Sequence, residues 1–206
     1  MGTIDELVHL DLPAMQVKAL AVDFGGVMSD FIDKDTLGLL ANIAQVPLAV
    51  FEIPYWEKRD KLDSGEYDAS SYFHQVLVDA HSPLGDDEET LELLFTIDIL
   101  GFSHVRPRMV KWVYDMRKRG IKTVLLSNMA SQAYDRLVHG TYWAEACFDW
   151  FVISGILGKN KPGEPIFRHT IDLVQTSPQH MLFIDDSEHN IKAAKDMGMQ
   201  TFLYNR

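Results

Sequence analysis

The 206-residue chain is short of cysteine, of basic charge and of long apolar runs, and each shortage removes a class of protein. Its one cysteine, Cys147, can form no internal disulfide and has no second thiol with which to share a metal; it reads as a packed core thiol in a reducing compartment. No stretch approaches the ~20 apolar residues that a helical membrane span needs. Residues 1–6 carry acids early and no apolar run of signal length, and Glu6 stands where a myristoylated Gly2 would need Ser or Thr. A cytoplasmic protein with no membrane partner is expected. Lys and Arg number 19 against 30 Asp and Glu, a formal net charge of -11. That field repels phosphate backbones, so nucleic acid is not an expected partner. A small anionic ligand would need positive charge built locally, from a placed cation, a metal ion or helix N-termini.

What the chain does have is apolar substance: 47% hydrophobic and 11% aromatic residues, enough to offset the chain entropy of one or two folded domains. There is no internal repeat, so the organisation has to come from periodicity and punctuation. Short apolar, β-branched runs at 18–23, 122–127, 148–153, 180–185 and 201–204 read as buried strands. Helix signals stand between them. Pro107 opens a run with Val110, Val113 and Tyr114 on one face and a stop at Gly120; a second helix covers 165–174; Ser187 caps a third through Ile191, Ala194 and Met197 to Gly198. Strand and helix in alternation imply an α/β fold with a Rossmann-like parallel sheet. From Asp33 to His104 the pattern is helical without a convincing strand, and four helices are expected there. The expected division is a core of residues 1–32 and 105–206, interrupted by a helical module at 33–104.

In an open parallel sheet, ligands bind beyond the carboxyl ends of the strands. Asp23 stands there after the first run, Ser127 and Asn128 after the second, and Asp185 and Asp186 after the run at 180–185, with Lys159 and Lys161 in a Gly/Pro-rich loop. Converging carboxylates repel unless a hard cation neutralises them, and Mg²⁺ takes such oxygens while sharing its other positions with water and phosphate. One carboxylate can attack phosphorus while a lysine and a hydroxyl orient the transferring group. Plainer roles stand beside these. Ser127 and Asn128 could cap a helix, the paired acids could be dipole-favoured residues at a helix start, and a loop lysine could be plain surface. Trp56, Trp112, Trp143 and Trp150 read as packing residues, and His189 as an exposed helix residue.

The segments Asp23-Phe-Gly-Gly-Val, Leu125-Leu-Ser-Asn, Gly158-Lys-Asn-Lys-Pro and Phe183-Ile-Asp-Asp resemble, in order, the four motifs of the haloacid dehalogenase-like hydrolase superfamily. The resemblance covers nearly the whole chain. The helical insertion resembles that superfamily's cap, and Ser64-Gly-Glu-Tyr-Asp a recurrent cap turn. Asp23 is thereby implied as a nucleophile that forms an aspartyl-phosphate. Mg²⁺ is implied on Asp23, the Gly25 carbonyl, Asp185 and Asp186, and phosphate on Ser127, Asn128, Gly26 and Lys161. Lys161, directly before Pro162, matches the third motif better than Lys159. The chain is similar in particular to sugar-1-phosphate phosphatases and to the phosphatase domain attached to epoxide hydrolases. The implied activity is Mg²⁺-dependent hydrolysis of a small phosphorylated substrate, a sugar phosphate among the candidates, by a monomer or a homodimer.

Two positions depart from the pattern. Gly163 stands where an Asp is common, a minor change. Gly25 stands where most phosphatases of the superfamily carry a second Asp, acid for the leaving alkoxide and then base for water. A positioned proton donor contributes ~10²–10⁴-fold, so Gly25 keeps open a catalytically impaired member that binds a phosphate ligand or a protein partner without turnover. Halide displacement does not need the acid pair and phosphomutase chemistry leans on the missing Asp, so both fit less well. Within the cap, Glu52, Glu57, Asp60 and His74 are the candidates for a substitute proton donor, and Phe51, Tyr55 and Trp56 for substrate contacts.

Overall fold

The structure, a computed structural model, describes residues 2–205. Helix α1 (Ile4–Val8) precedes strand β1 (Ala19–Val22), after which come helices α2 (Lys34–Ile43), α3 (Leu48–Glu57), α4 (Arg59–Asp63), α5 (Ala69–Asp79) and α6 (Glu88–Leu100). The chain then alternates through α7 (Pro107–Lys118), β2 (Lys122–Ser127), α8 (Ser131–Leu137), α9 (Tyr142–Cys147), β3 (Trp150–Ile153), α10 (Ser154–Leu157), α11 (Glu164–Val174), β4 (Met181–Asp185), α12 (Glu188–Asp196) and β5 (Gln200–Leu203). The strands form one parallel sheet in the order β3-β2-β1-β4-β5, the α/β Rossmann-like architecture that the alternation implies.

Strand β1 lies at the centre and all four of its residues are buried, because helices cover both faces of a parallel sheet. Its side chains alternate between two cores. Leu20 and Val22, with Leu125, pack in the cluster that holds Trp112 and Val113 of α7. Ala19 and Ala21, with Val124 and Leu126, join Ile166 and Phe167 of α11 and Ile191 of α12. Strand β3 begins two residues later than its apolar run, since Phe148 closes α9 and the Asp149 carboxylate accepts the Thr123 N–H at 2.9 Å. Cys147 is buried, as expected of a core thiol, and burial pushes it up to about 11. Register matters most for function: Val22 pairs with Leu125 on one side and Ile184 on the other, so Asp23, Ser127 and Asp185 emerge at one edge.

The insertion holds five helices among the described residues, one more than its periodicity suggests. Lys58 closes α3 and opens the single-turn α4, and five residues carry too little periodicity to read. Asp33, Asp68 and Asp87 start α2, α5 and α6 by accepting the N–H groups of Thr36, Ser71 and Thr90 at 2.7, 2.8 and 2.9 Å. Phe51, Tyr55, Tyr72, Phe73, Leu94 and Phe95 are buried between these helices. Among the described residues, no single helix is long and apolar enough to cross a membrane.

Candidate active site

Three strand ends supply one cluster. Asp23 directly follows β1, and its N–H still donates to the Ile184 carbonyl at 3.0 Å, which fixes the backbone of Asp23 in line with β4. Asp23 Oδ1 accepts the Phe24 N–H at 2.7 Å and Lys161 Nζ at 2.8 Å. Lys161 Nζ also donates to Asp185 Oδ2 at 2.7 Å and to the Leu126 carbonyl at 2.9 Å. The backbone of Lys161 is clamped by the Asn128 amide, whose Oδ1 accepts its N–H and whose Nδ2 donates to its carbonyl, both at 2.8 Å. Lys161 is thus 3% exposed, whereas Lys159 lies in solvent on the same loop. Asp185 is fully buried. Besides Lys161, it accepts the Ser187 N–H at 2.8 Å and, on both oxygens, Asn190 Nδ2 at 3.1 Å.

Carboxylate oxygens of Asp23, Asp185 and Asp186 lie within 4.8 Å of one another. Burial holds the Asp23 carboxyl well above the usual carboxylate range; Lys161 opposes that shift, and the charges of Asp185 and Asp186 reinforce it. Burial works against the Lys161 charge too, but Asp185 and Asp23 outweigh it and hold the ammonium above its ordinary pKa. Asp23 and Asp185 share the buried ammonium and Asp186 stands beside them, so the set offers oxygen ligands throughout. Such a set fits a hard divalent cation such as Mg²⁺. Asp186 lines the adjoining cavity and Asp185 does not, so the two adjacent acids occupy different places.

The remaining strand-end residues divide. Gly25, Ser127 and Asn128 line the cavity, but Gly26 does not. Its φ is left-handed, +81°, and its carbonyl accepts Arg106 Nη1 at 2.7 Å. Ser127 and Asn128 are not a helix cap, because α8 starts only at Ser131, behind Ala130 and without a side-chain cap. His189 is exposed on α12 as expected.

The cavity, about 210 Å³, is walled on its other side by the insertion and its flanks. Phe31 stacks on Trp56 with centroids 5.8 Å apart and meets the Phe102 ring edge-on at 5.4 Å. Ile99, Met129 and Leu137 complete an apolar lining. Trp56, 36% exposed, is therefore a cavity residue rather than a packing residue, while Phe51 and Tyr55 are fully buried and touch no ligand space. None of Glu52, Glu57, Asp60 and His74 lines the cavity. Asp60 is exposed and its carbonyl accepts Asn160 Nδ2 at 2.7 Å, and the His74 ring is engaged with the Gly85 carbonyl at 2.7 Å.

Two charged residues that sequence reasoning missed do line it: Arg59 and Asp63. Arg59 Nε donates to Asp63 Oδ1 at 3.2 Å, and its Nη1 to Asp98 Oδ1 at 2.9 Å and to the Tyr55 hydroxyl at 2.9 Å. The i, i+4 spacing was a visible signal, but such pairs are ordinary on exposed helices. Burial pushes the Asp63 carboxyl up to about 6, against the pull of Arg59 and with the Asp98 charge adding to the rise. Asn190 was missed as well; it stands in the first turn of α12, the helix that the acid pair precedes.

A family model described as haloacid dehalogenase-like hydrolase matches residues 17–198. Bifunctional epoxide hydrolase 2 of Rattus norvegicus is 31% identical over 91 residues, 43% of this chain. That match spans only 16% of the relative's length. D-ribitol-5-phosphate phosphatase of Bacteroides thetaiotaomicron is 26% identical over 195 residues, covering 90% of this chain and 91% of the relative. Among solved structures, a HAD family enzyme of the same bacterium superposes with a TM-score of 0.75 at 18% identity, covering 90% of this chain and 92% of that one. The same enzyme in complex with magnesium and inorganic phosphate gives a TM-score of 0.69 at 18% identity, covering 90% and 93%.

Proposed function

The chain belongs to the haloacid dehalogenase-like hydrolase family, and from that premise we propose that it is a Mg²⁺-dependent phosphatase of small phosphomonoesters. The observation that carries this reading is Lys161 Nζ, buried and shared between Asp23 at 2.8 Å and Asp185 at 2.7 Å, at the end of the cavity where Ser127, Asn128 and Asp186 converge. Asp23 is the nucleophile. Its Oδ1 is held by Phe24 N–H and Lys161, so the carboxylate keeps one orientation as its oxygen approaches phosphorus. Lys161, the Ser127 hydroxyl and the Asn128 backbone bind and orient the phosphoryl oxygens. Asp23, Asp186 and the Gly25 carbonyl would hold the metal ion, with Asp185 fixing Lys161 behind them. When bound, Mg²⁺ supplies charge neutralisation for the phosphoryl group.

The lining also bears on substrate. Away from the carboxylates, the wall consists of Phe31, Trp56, Phe102, Ile99 and Leu137, and its polar groups, Arg59 and Asp63, are already bonded to each other. A polyhydroxylated leaving group would lose water there and gain few partners beyond Asp63 Oδ2. The reading therefore favours a leaving group with an apolar or planar face over a free sugar.

The test is phosphate release from a panel of aryl, prenyl and sugar phosphates, with and without Mg²⁺, beside Asp23→Asn. Activity is expected only with Mg²⁺, highest on the apolar esters, and absent from Asp23→Asn. Turnover that survives in Asp23→Asn sinks the mechanism. No release from any ester, with saturable phosphate binding, establishes the impaired member that Gly25 keeps open.

A further inference from the structure

On the phosphatase reading above, we propose that Asp63 of the helical insertion takes the acid/base role left vacant by Gly25, giving a proton to the leaving oxygen and then taking one from the attacking water. The geometry begins at Gly25. A Cβ built there meets Phe102 at 3.5 Å and Phe31 at 3.8 Å, ordinary contacts, so an acid at this position would have extended toward those rings. The Arg59 guanidinium lies over the same Phe102 ring, 5.3 Å from its centroid, and Arg59 Nε holds Asp63 Oδ1. Asp63 thus joins, through Arg59, the side chains packed on the Phe102 ring that a side chain at Gly25 would also meet.

Its other oxygen, Oδ2, has no hydrogen bond among the described residues, and Asp63 shares the cavity with Asp23, Ser127 and Lys161. The backbone is fixed as well. Ser154 Oγ, fully buried, donates to the Asp63 carbonyl at 2.5 Å and accepts the Met129 N–H at 2.9 Å, tying α4 to the loop that follows Ser127. Beside it, Gly65 at φ +76° packs so closely that a Cβ would lie 2.8 Å from the Gly155 carbonyl oxygen. The charged and titratable groups around the carboxyl are Arg59 and Asp60 of α4, Tyr55 of α3, Tyr72 of α5 and Asp98 of α6. A carboxyl poised at about 6 can both give and take a proton near neutrality.

In the first step the Asp23 oxygen bonds to phosphorus and the phosphorus–ester oxygen bond breaks. Its electron pair goes to the leaving oxygen, which takes the Asp63 proton and departs as the alcohol. In the second, Asp63 accepts a proton from water as the water oxygen bonds to phosphorus; the bond to Asp23 breaks, its electrons return to the carboxylate, and phosphate leaves. Asp63 ends as it began.

The experiment compares Asp63→Asn with the unaltered chain, both with Mg²⁺, on benzyl phosphate, a poor leaving group, and p-nitrophenyl phosphate, a good one. Benzyl phosphate turnover is expected to fall ~10²–10⁴-fold. p-Nitrophenyl phosphate should instead give a burst of one nitrophenolate per active site followed by slow release, because its first step needs no acid while the second has lost its base. A folded Asp63→Asn that keeps full turnover of benzyl phosphate overturns the proposal, as does an equal loss on both esters without a burst, the mark of a residue that only holds Arg59. Should Asp63→Asn not fold, the unaltered chain decides by rapid quench. Phosphorylation by benzyl phosphate should slow, and dephosphorylation should quicken, as pH rises through about 6; the same pH dependence for both steps overturns the assignment. An unaltered chain that hydrolyses neither ester defeats the phosphatase reading itself, a result distinct from either of these.

Discussion

The buried charges at the sheet edge and those in the helical insertion use the same few side-chain types, yet they are balanced differently. At the sheet edge one ammonium, Lys161, stands among Asp23, Asp185 and Asp186. In the insertion one guanidinium, Arg59, answers Asp63 and Asp98, and the Tyr55 hydroxyl adds a donor without adding charge. A planar fork can satisfy two carboxylates at once, where an ammonium acts as a point charge. Lys161 holds Asp23 and Asp185 directly, and Asp186 brings a third carboxylate within 4.8 Å of theirs; on the proposed reading, the cation and the phosphoryl group bind there. In the second, both Asp98 oxygens and Asp63 Oδ1 accept hydrogen bonds, and among the described residues Asp63 Oδ2 accepts none. Each cation holds two carboxylates, so the clusters differ in the gathering of a third, Asp186, beside the first pair.

The largest expected effect breaks the first cluster. Lys161→Met leaves buried Asp23 and Asp185 without their cation and should cost about 3–5 kcal/mol in chemical denaturation, together with loss of measurable phosphate release. Saturating Mg²⁺ should restore part of the stability and none of the activity. Stability unchanged without Mg²⁺ would show that the acid pair is already neutral.

A smaller effect sharpens the second cluster. The Asp63 carboxyl titrates at about 6 in the folded chain against an ordinary value of 3.8. The folded state therefore holds the proton more tightly, and this group's contribution to stability is fully present below about pH 4 and is lost as pH rises through about 6. The difference in unfolding free energy between the unaltered chain and Asp63→Asn should change by about 3 kcal/mol across that window. A flat difference would mean that Asp63 is ionised throughout.

Smallest is the effect of Asp98→Asn, which weakens charged hydrogen bonds to Arg59 and should cost about 1.5–3 kcal/mol. It also removes a negative charge that raises Asp63, so the pH window of the preceding measurement should move down. A window that stays in place would uncouple Asp98 from Asp63.

The two clusters were not equally legible in the amino-acid sequence. Asp23, Ser127 and Asp185 stand at the ends of apolar runs, and parallel register carries strand ends to a common edge, so local pattern alone assembles them. Lys161 was readable from its place before Pro162, though its burial depends on Asn128, a contact across 33 residues. Gly26 sits in the right segment, yet it does not line the cavity, and its carbonyl is engaged by Arg106. In the insertion, Glu52, Glu57, Asp60 and His74 were as plausible as Asp63, because helical periodicity tells which face is apolar and not which polar residue a neighbouring layer will cover.

By itself, the sequence determined the parallel sheet, the helical interruption and the carboxylates at the strand ends, since each follows from short-range pattern and the geometry of buried strands. Only the tertiary structure decided that Asp186 and not Asp185 reaches the cavity, that Trp56 is a wall and that Arg59 and Asp63 line the same space. Those outcomes depend on how the surface of one helix docks against another layer, through contacts such as Ser154 to Asp63 that span 91 residues.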